Sequence, residues 1–321
     1  MPAPAGRTWT WTSLRLLAAV AVLGVCLYYL ARRIEPALLG RALARADYHL
    51  VLVMTSAHLA LFLSIKTWRW QIMLAPIRHL PLTRLYQYCL AGCAITNLFP
   101  ARAGQAVRVV LLRRDAVPVT SSIGVLALEE ISNAAVLGLL CLPLPFLLSL
   151  PVRVHFTLGF VTGGAAVALG VLVWLALAGR ARPGGLLRRI SEGLAVLGRG
   201  RAALAVLGLT VAMWLVDLGQ IALAMWAVGV PPSYAGVALV LLLVNVTNAL
   251  PVTPGQVGLF EAGATAACVA IGATPEQGLA VGVLYHFTQL IPETVIGLSV
   301  LGRGALGRTW RAARVEAASE S

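Results

Sequence analysis

T-N-L-F-P-A-R-A-G-Q at residues 96–105 and T-N-A-L-P-V-T-P-G-Q at residues 247–256 are two versions of one polar phrase, each set inside a hydrophobic stretch. Thr, Asn, Pro, Gly and Gln recur in register at a constant offset of 151 residues (248 − 97). Pro and Gly break helices, and Asn and Gln carry amide groups that need partners. In hydrocarbon such a segment is tolerable only when buried in protein or lining a watery cavity. Paired, Gly/Pro-interrupted apolar segments in the two halves of a chain point to a transporter's binding site.

The surroundings set the solvent. The 321 residues are 59% hydrophobic and 12% charged, with a mean hydropathy of +0.86. A soluble chain of this length needs far more surface charge, so the composition specifies an all-α, polytopic membrane protein. The net charge of +13 is carried almost wholly by arginine, Lys66 being the only lysine. On a soluble domain this would suggest nucleic acid. Here the arginines cluster between apolar spans, as the positive-inside rule expects, and no nucleic-acid partner is inferred. The five cysteines (Cys26, Cys89, Cys93, Cys141, Cys268) lie in apolar segments without a completing His or acid, so no metal is expected.

A helix needs about 20 apolar residues to cross a bilayer core. Six stretches qualify as spans: 14–31, 50–65, 119–141, 154–178, 203–228 and 277–301. The first is read as an uncleaved span rather than a signal peptide, because its apolar run is long and Arg32 and Arg33 follow it. The two stretches with the repeated phrase read as re-entrant helical hairpins, 85–114 and 234–272, each with its break in the middle. The alternative is a pair of thin full spans in each. Arginine counting puts the C-terminal tail 303–321, the linker from Arg180 to Arg201 and the N-terminus in the cytoplasm, together with Lys66, Arg69, Arg78, Arg84, Arg113 and Arg114. Arg32, Arg33, Arg41 and Arg45 violate the rule, and read as an interfacial amphipathic helix partly offset by Glu35 and Asp47. The result is a single membrane domain of two inverted halves, 1–142 and 143–302, an arrangement found in transporters.

The chemistry-bearing side chains gather around the breaks. The first has Asn97, Pro100, Arg102, Gly104, Gln105 and Arg108; the second has Asn248, Pro251, Thr253, Pro254, Gly255, Gln256, Gly258 and Glu261. The guanidinium groups of Arg102 and Arg108 suit a phosphate, the competing reading being a pair with Glu261 or another acid. The amides either cap their own turns or contact a ligand. The spans that follow carry Glu129 and Glu130, then His286 and Glu293; Leu128–Asn133 aligns with Leu284–Gln289. Adjacent acids point in different directions on a helix, so one of the pair is expected to meet an arginine and the other a cavity. These four residues suit either proton coupling or static ion pairs. Asp217 reads as a further buried acid. HExxH, GxSxG and Walker loops are absent, so no enzyme is expected.

The phrases in context resemble the lysylphosphatidylglycerol synthase transmembrane-region family, also called flippase-like or UPF0104-type. Its first motif, N-x-x-P-x-R-x-G-E-x-x-R, matches Asn97, Pro100, Arg102, Gly104 and Arg108, with Gln105 replacing the acid. Its second, P-x-(S/T)-P-G-x-x-G-x-x-E, matches Pro251, Thr253, Pro254, Gly255, Gly258 and Glu261, followed by Ile271-Gly272. Two positions depart from the family: Glu129-Glu130-Ile131-Ser132-Asn133 stands where E-R-x-x-D is usual, and His286 stands where Arg is usual.

The resemblance implies a multi-pass protein of a bacterial plasma membrane that moves an anionic or phosphate-bearing lipid, without cofactor and without aminoacyl transfer. Headgroup contacts would come from Asn97, Arg102, Gln105, Arg108, Asn248, Thr253, Gln256 and Glu261. A different class of function is a non-transporting accessory subunit of a glycolipid, polyprenyl-phosphate or hopanoid pathway, with a lipid-synthesis enzyme as partner. A third is an intramembrane lipid-modifying enzyme.

Overall fold

The computed structural model describes residues 40–41, 43–44, 46–99, 103–148, scattered residues between 156 and 174, 192–249 and 253–319; side chains are described up to residue 302, Pro254 excepted. The expected first span, most of 154–178, residues 180–191 of the linker and the residues Pro100, Arg102 and Pro251 lie outside them. Helices make up the regular structure throughout the described residues. We label them α1 (Tyr48–Leu74), α2 (Leu82–Leu98), α3 (Ala103–Arg114), α4 (Val119–Cys141), α5 (Gly200–Ala227), α6 (Tyr234–Asn248), α7 (Leu259–Ala270) and α8 (Pro275–Ser319). Among the described residues, four stretches are long and apolar enough to cross a membrane: Tyr48–Leu74, Val119–Leu147, Gly200–Ala227 and Pro275–Gly302.

α1 corrects one reading. The expected span 50–65 is too short: the helix runs on through Lys66 and Arg69 to Leu74. Nothing between Leu63 and Leu74 breaks a helix, the first proline being Pro76. These two cations therefore belong inside the bundle and not to a cytoplasmic loop, and Arg69 has no exposure at all. Asp47 is also reassigned: its carboxylate accepts from His49 N at 2.9 Å and caps α1. Within α1, residues His58–Phe62 form a π-turn, a feature often found at functional sites. Its Leu59 carbonyl accepts a hydrogen bond from Tyr86 Oη at 2.6 Å, which ties α1 to α2.

The two interrupted stretches are helix–break–helix hairpins, α2/α3 and α6/α7, built from helices of 12 to 17 residues. Both close on a glycine. A Cβ on Gly104 of α3 would collide with the Gly92 carbonyl and Thr96 Oγ1 of α2. In the second hairpin a Cβ on Gly263 of α7 would stand 2.9 Å from Thr247 Oγ1 and 3.0 Å from the Leu243 carbonyl of α6. Thr96 and Thr247 hold the same place in the repeated phrase. Packing therefore matches Gly104 with Gly263, whereas sequence register matches it with Gly255. The second turn is the longer: sixteen residues separate Thr247 from Gly263, and eight separate Thr96 from Gly104. The extra chain forms the one-turn helix Pro254–Gln256, where Gly255 adopts φ +57°.

α8 lies between the hairpins, packed on α2 and on α7. Its contact with α7 is a small-residue seam. Cβ atoms on Gly278 and Gly282 would approach α7 backbone to 2.9 Å at Thr265 and 3.0 Å at Glu261. On its other side Gly297 sits against the Leu90 carbonyl and Ala94 of α2. Small residues allow such close helix approach where hydrocarbon provides no drive for helices to associate. The hairpin tips also touch: a Cβ on Gly255 would stand 3.0 Å from the Asn97 carbonyl.

The Gly104 contact is testable. Gly104→Ala places a methyl group into backbone, and overpacking of this kind costs about 1–3 kcal/mol. The unfolding midpoint in detergent is expected to fall for Gly104→Ala and to hold for Gly219→Ala, whose Cβ would meet open space.

Candidate functional site

The helices place buried charge at the centre of the bundle. Glu129 of α4 sits between two arginines. Arg108 of α3 donates to Glu129 Oε2 at 2.7 Å, and Arg69 of α1 donates to Glu129 Oε1 at 3.4 Å. The other contacts are as specific. Arg69 donates to Asn133 Oδ1 at 2.6 Å and to Thr210 Oγ1 at 2.9 Å. The Arg108 guanidinium lies 4.1 Å from the centre of the Trp70 ring and donates to Gln105 Oε1 at 3.0 Å. Gln105 in turn donates to Glu130 Oε1 at 2.9 Å. Glu129 thus faces the arginines, and Glu130, one residue and about 100° further round the helix, lines the cavity described below. Arg108, read from its residue type as a headgroup contact, is held by Glu129, Gln105 and Trp70.

The second hairpin is organised by its own acid. Glu261 Oε2 accepts from Gly258 N at 2.6 Å, and Oε1 lies 2.7 Å from His286 Nδ1. The His286 ring stacks on Phe260 with centroids 4.1 Å apart. Gly258 holds φ +88°, a backbone conformation that side-chain-bearing residues rarely adopt. Glu261 therefore fastens the turn to α8 and takes no place on the wall of the cavity between the hairpins, described below. Of the two readings for Arg108, a pair with Glu261 or with another acid, the structure has the second: Arg108 pairs with Glu129, and Glu261 with His286. Thr253 is buried away from that cavity, with its hydroxyl unpartnered among the described residues.

A cavity of 290 Å³ opens between the two hairpins, α1, α4, α5 and α8. Of the residues expected at the site, Asn97, Gly104, Gln105, Arg108, Glu130, Asn248, Gln256 and Glu293 line it. Asn97 Nδ2 donates to Thr294 Oγ1 at 3.0 Å and to the Leu290 carbonyl at 3.3 Å, so it anchors its hairpin tip to α8. Asn248 Oδ1 is buried without a partner among the described residues. Glu293 Oε1 lies 2.9 Å from His58 Nε2. A smaller cavity of 120 Å³ adjoins at the tips and brings in Gly255 and His286. Among the described residues no group of three or more His, Cys, Asp or Glu could hold a metal.

Several wall residues were not foreseen: His58, Phe62, Lys66, Trp214 and Tyr285. Asp217, expected to be buried, accepts from Tyr285 Oη at 2.7 Å. Lys66 and Arg69 did leave a signal in the sequence, since they stand three apart in a stretch without helix breakers. Counting them as loop charges hid it.

A model of the lysylphosphatidylglycerol synthase TM region family matches residues 16–297. The chain belongs to that family. It is a membrane protein of a family connected with lipid handling, and both hairpins and the whole cavity wall fall within the matched region. Comparison with curated proteins gives no match.

The central acid can be tested by substitution. Glu129→Gln leaves two buried guanidinium groups facing a neutral amide, and breaking a buried pair costs about 3–5 kcal/mol. The unfolding midpoint in detergent should fall sharply, and Glu129→Gln/Arg108→Met should recover part of the loss. Glu130→Gln, at the cavity wall, should cost much less.

Proposed function

We propose that this protein is a lipid translocator that passes a phosphate-bearing headgroup through the cavity between its two hairpins. The observation that carries the reading is the position of the cavity. A polar chamber lined by both hairpin tips, with Lys66, Glu130, Asp217 and Glu293 on its walls, sits among helices long enough to span a bilayer. Charges there are costly in hydrocarbon and are retained where a polar ligand or water meets them. The 290 Å³ volume suits a headgroup and excludes a whole lipid, so the acyl chains would stay outside.

An apolar groove of 450 Å³ along α2, α3 and the far part of α8 supports this. It runs past Ala91, Val107, Val110 and Val300, with Arg114 at its edge, and offers a place for one chain. In this reading the hairpins are re-entrant and belong to inverted halves, the C-terminus is cytoplasmic, and the membrane is the plasma membrane. Movement of lipid is downhill or ion-coupled. The His58–Glu293 pair facing the cavity is the one placed to exchange a proton with it.

The test is reconstitution. Purified protein in liposomes carrying a headgroup-labelled fluorescent phospholipid should let an external, impermeant reductant bleach the inner-leaflet label, and protein-free liposomes should not. Lipid mass should be unchanged after the reaction. Folded protein that leaves the inner leaflet protected for every lipid tried would sink the translocator reading and favour an accessory role. A mass shift would point to an enzyme.

A further inference from the structure

The smaller cavity, at the hairpin tips, is walled by side-chain oxygens. Two amides on its wall have their orientation fixed by their partners. Asn97 Nδ2 donates to the Leu290 carbonyl at 3.3 Å and to Thr294 Oγ1 at 3.0 Å. Thr294 spends its own hydrogen on the Leu290 carbonyl at 2.6 Å, so both partners of Asn97 can only accept. Gln289 Nε2 donates to Asp217 Oδ1 at 3.5 Å, an oxygen that also accepts from Tyr285 Oη. In each amide the NH2 end faces the protein, and the carbonyl oxygen is the end left over. Neither Asn97 Oδ1 nor Gln289 Oε1 has a hydrogen bond among the described residues.

A third amide, Asn248, has its Oδ1 buried without a partner among the described residues. A buried acceptor left unmade costs about 1–3 kcal/mol, so this oxygen points to a ligand. All three amides line the same 120 Å³, together with Glu293, whose Oε1 lies 2.9 Å from His58 Nε2. Lys66 and Arg108 line the larger cavity and not this one. Carbonyl and carboxylate oxygens are the ligands of hard cations, and one carboxylate among neutral carbonyls suits an ion of single charge. Asn97 and Asn248 stand in the last turns of α2 and α6. Such half-helix ends inside a bundle are where secondary transporters coordinate Na⁺.

We propose that the tip cavity binds a monovalent alkali cation through Asn97 Oδ1, Asn248 Oδ1, Gln289 Oε1 and the Glu293 carboxylate, with water completing its shell. These ligands come from α2, α6 and α8, so the ion ties both hairpins to α8 where the tips meet. The site does not depend on the translocator reading.

The experiment follows the unfolding midpoint of the full chain in detergent as sodium or potassium chloride replaces choline chloride at constant ionic strength. Magnesium and calcium chloride are run alongside. A cation bound only by the folded state raises the midpoint and saturates. The expected result is a saturable rise with sodium or potassium in wild type, an apparent affinity weaker by about tenfold or more in Asn248→Ala, and retention in Asn248→Asp, which keeps an oxygen at the site. A midpoint indifferent to the exchange for choline would overturn the site. A larger rise with magnesium or calcium than with the alkali ions would overturn the single charge. Wild-type affinity in folded Asn248→Ala would remove the ion from the tip cavity. Should Asn248→Ala fail to fold, the wild-type series and Asn248→Asp still decide, and an aspartate variant that loses the alkali response counts against the site. The reconstitution assay separates this from the translocator reading. Alkali binding by a wild type that moves no lipid leaves the site and removes translocation; lipid movement by a wild type that binds no alkali cation does the reverse.

Discussion

One carboxylate between two guanidinium groups governs the interior of this protein. Glu129 on α4 holds Arg69 of α1 and Arg108 of α3, and Arg69 continues to Asn133 and Thr210. Four helices, α1, α3, α4 and α5, are thereby joined through hydrogen bonds with fixed directions. In hydrocarbon this matters more than in water, because apolar side chains are as content with lipid as with each other. The triad carries a formal charge of +1, so desolvation is only partly offset by Coulomb attraction; the Trp70 face and the neutral acceptors around it supply the remainder. Such a cluster specifies which helix faces meet.

The hairpins make a cavity because they are short. Helices of 12 to 17 residues joined by a broken turn bring polar backbone and amide groups into the bundle, where a continuous span would bring apolar side chains. α8 then draws the two hairpins together through glycine seams at Gly278, Gly282 and Gly297. The tips meet at Gly255 and the Asn97 carbonyl, and Asn97 is tied to α8. What remains between the tips and the inner faces of α1, α4 and α5 is a chamber whose walls carry charge because they are the ends and polar faces of helices. Arg108, held by Glu129, and Lys66 both line it.

Much of this was legible in the chain. The helical class, the interruption of helix within 85–114 and 234–272, and the division of labour between Glu129 and Glu130 follow from apolar length, helix breakers and the 100° step of a helix. The role of Glu261 did not follow. Its spacing to Gly258 is the spacing of a helix cap, but its partnership with His286 needed α7 and α8 to be packed together. Arg69 was misplaced because charge alone marks a loop in a membrane sequence unless a partner is known, and its partners Glu129 and Thr210 lie 60 residues and more away.

The sequence by itself determined the solvent, the elements and the places where helices must break, because these depend on local composition and on residues a few positions apart. Only the tertiary structure decided which acids meet which arginines, and that Gly104 has its packing counterpart in Gly263 and not in Gly255. Those outcomes depend on distances between helices far apart in the chain, and a single sequence carries no record of them.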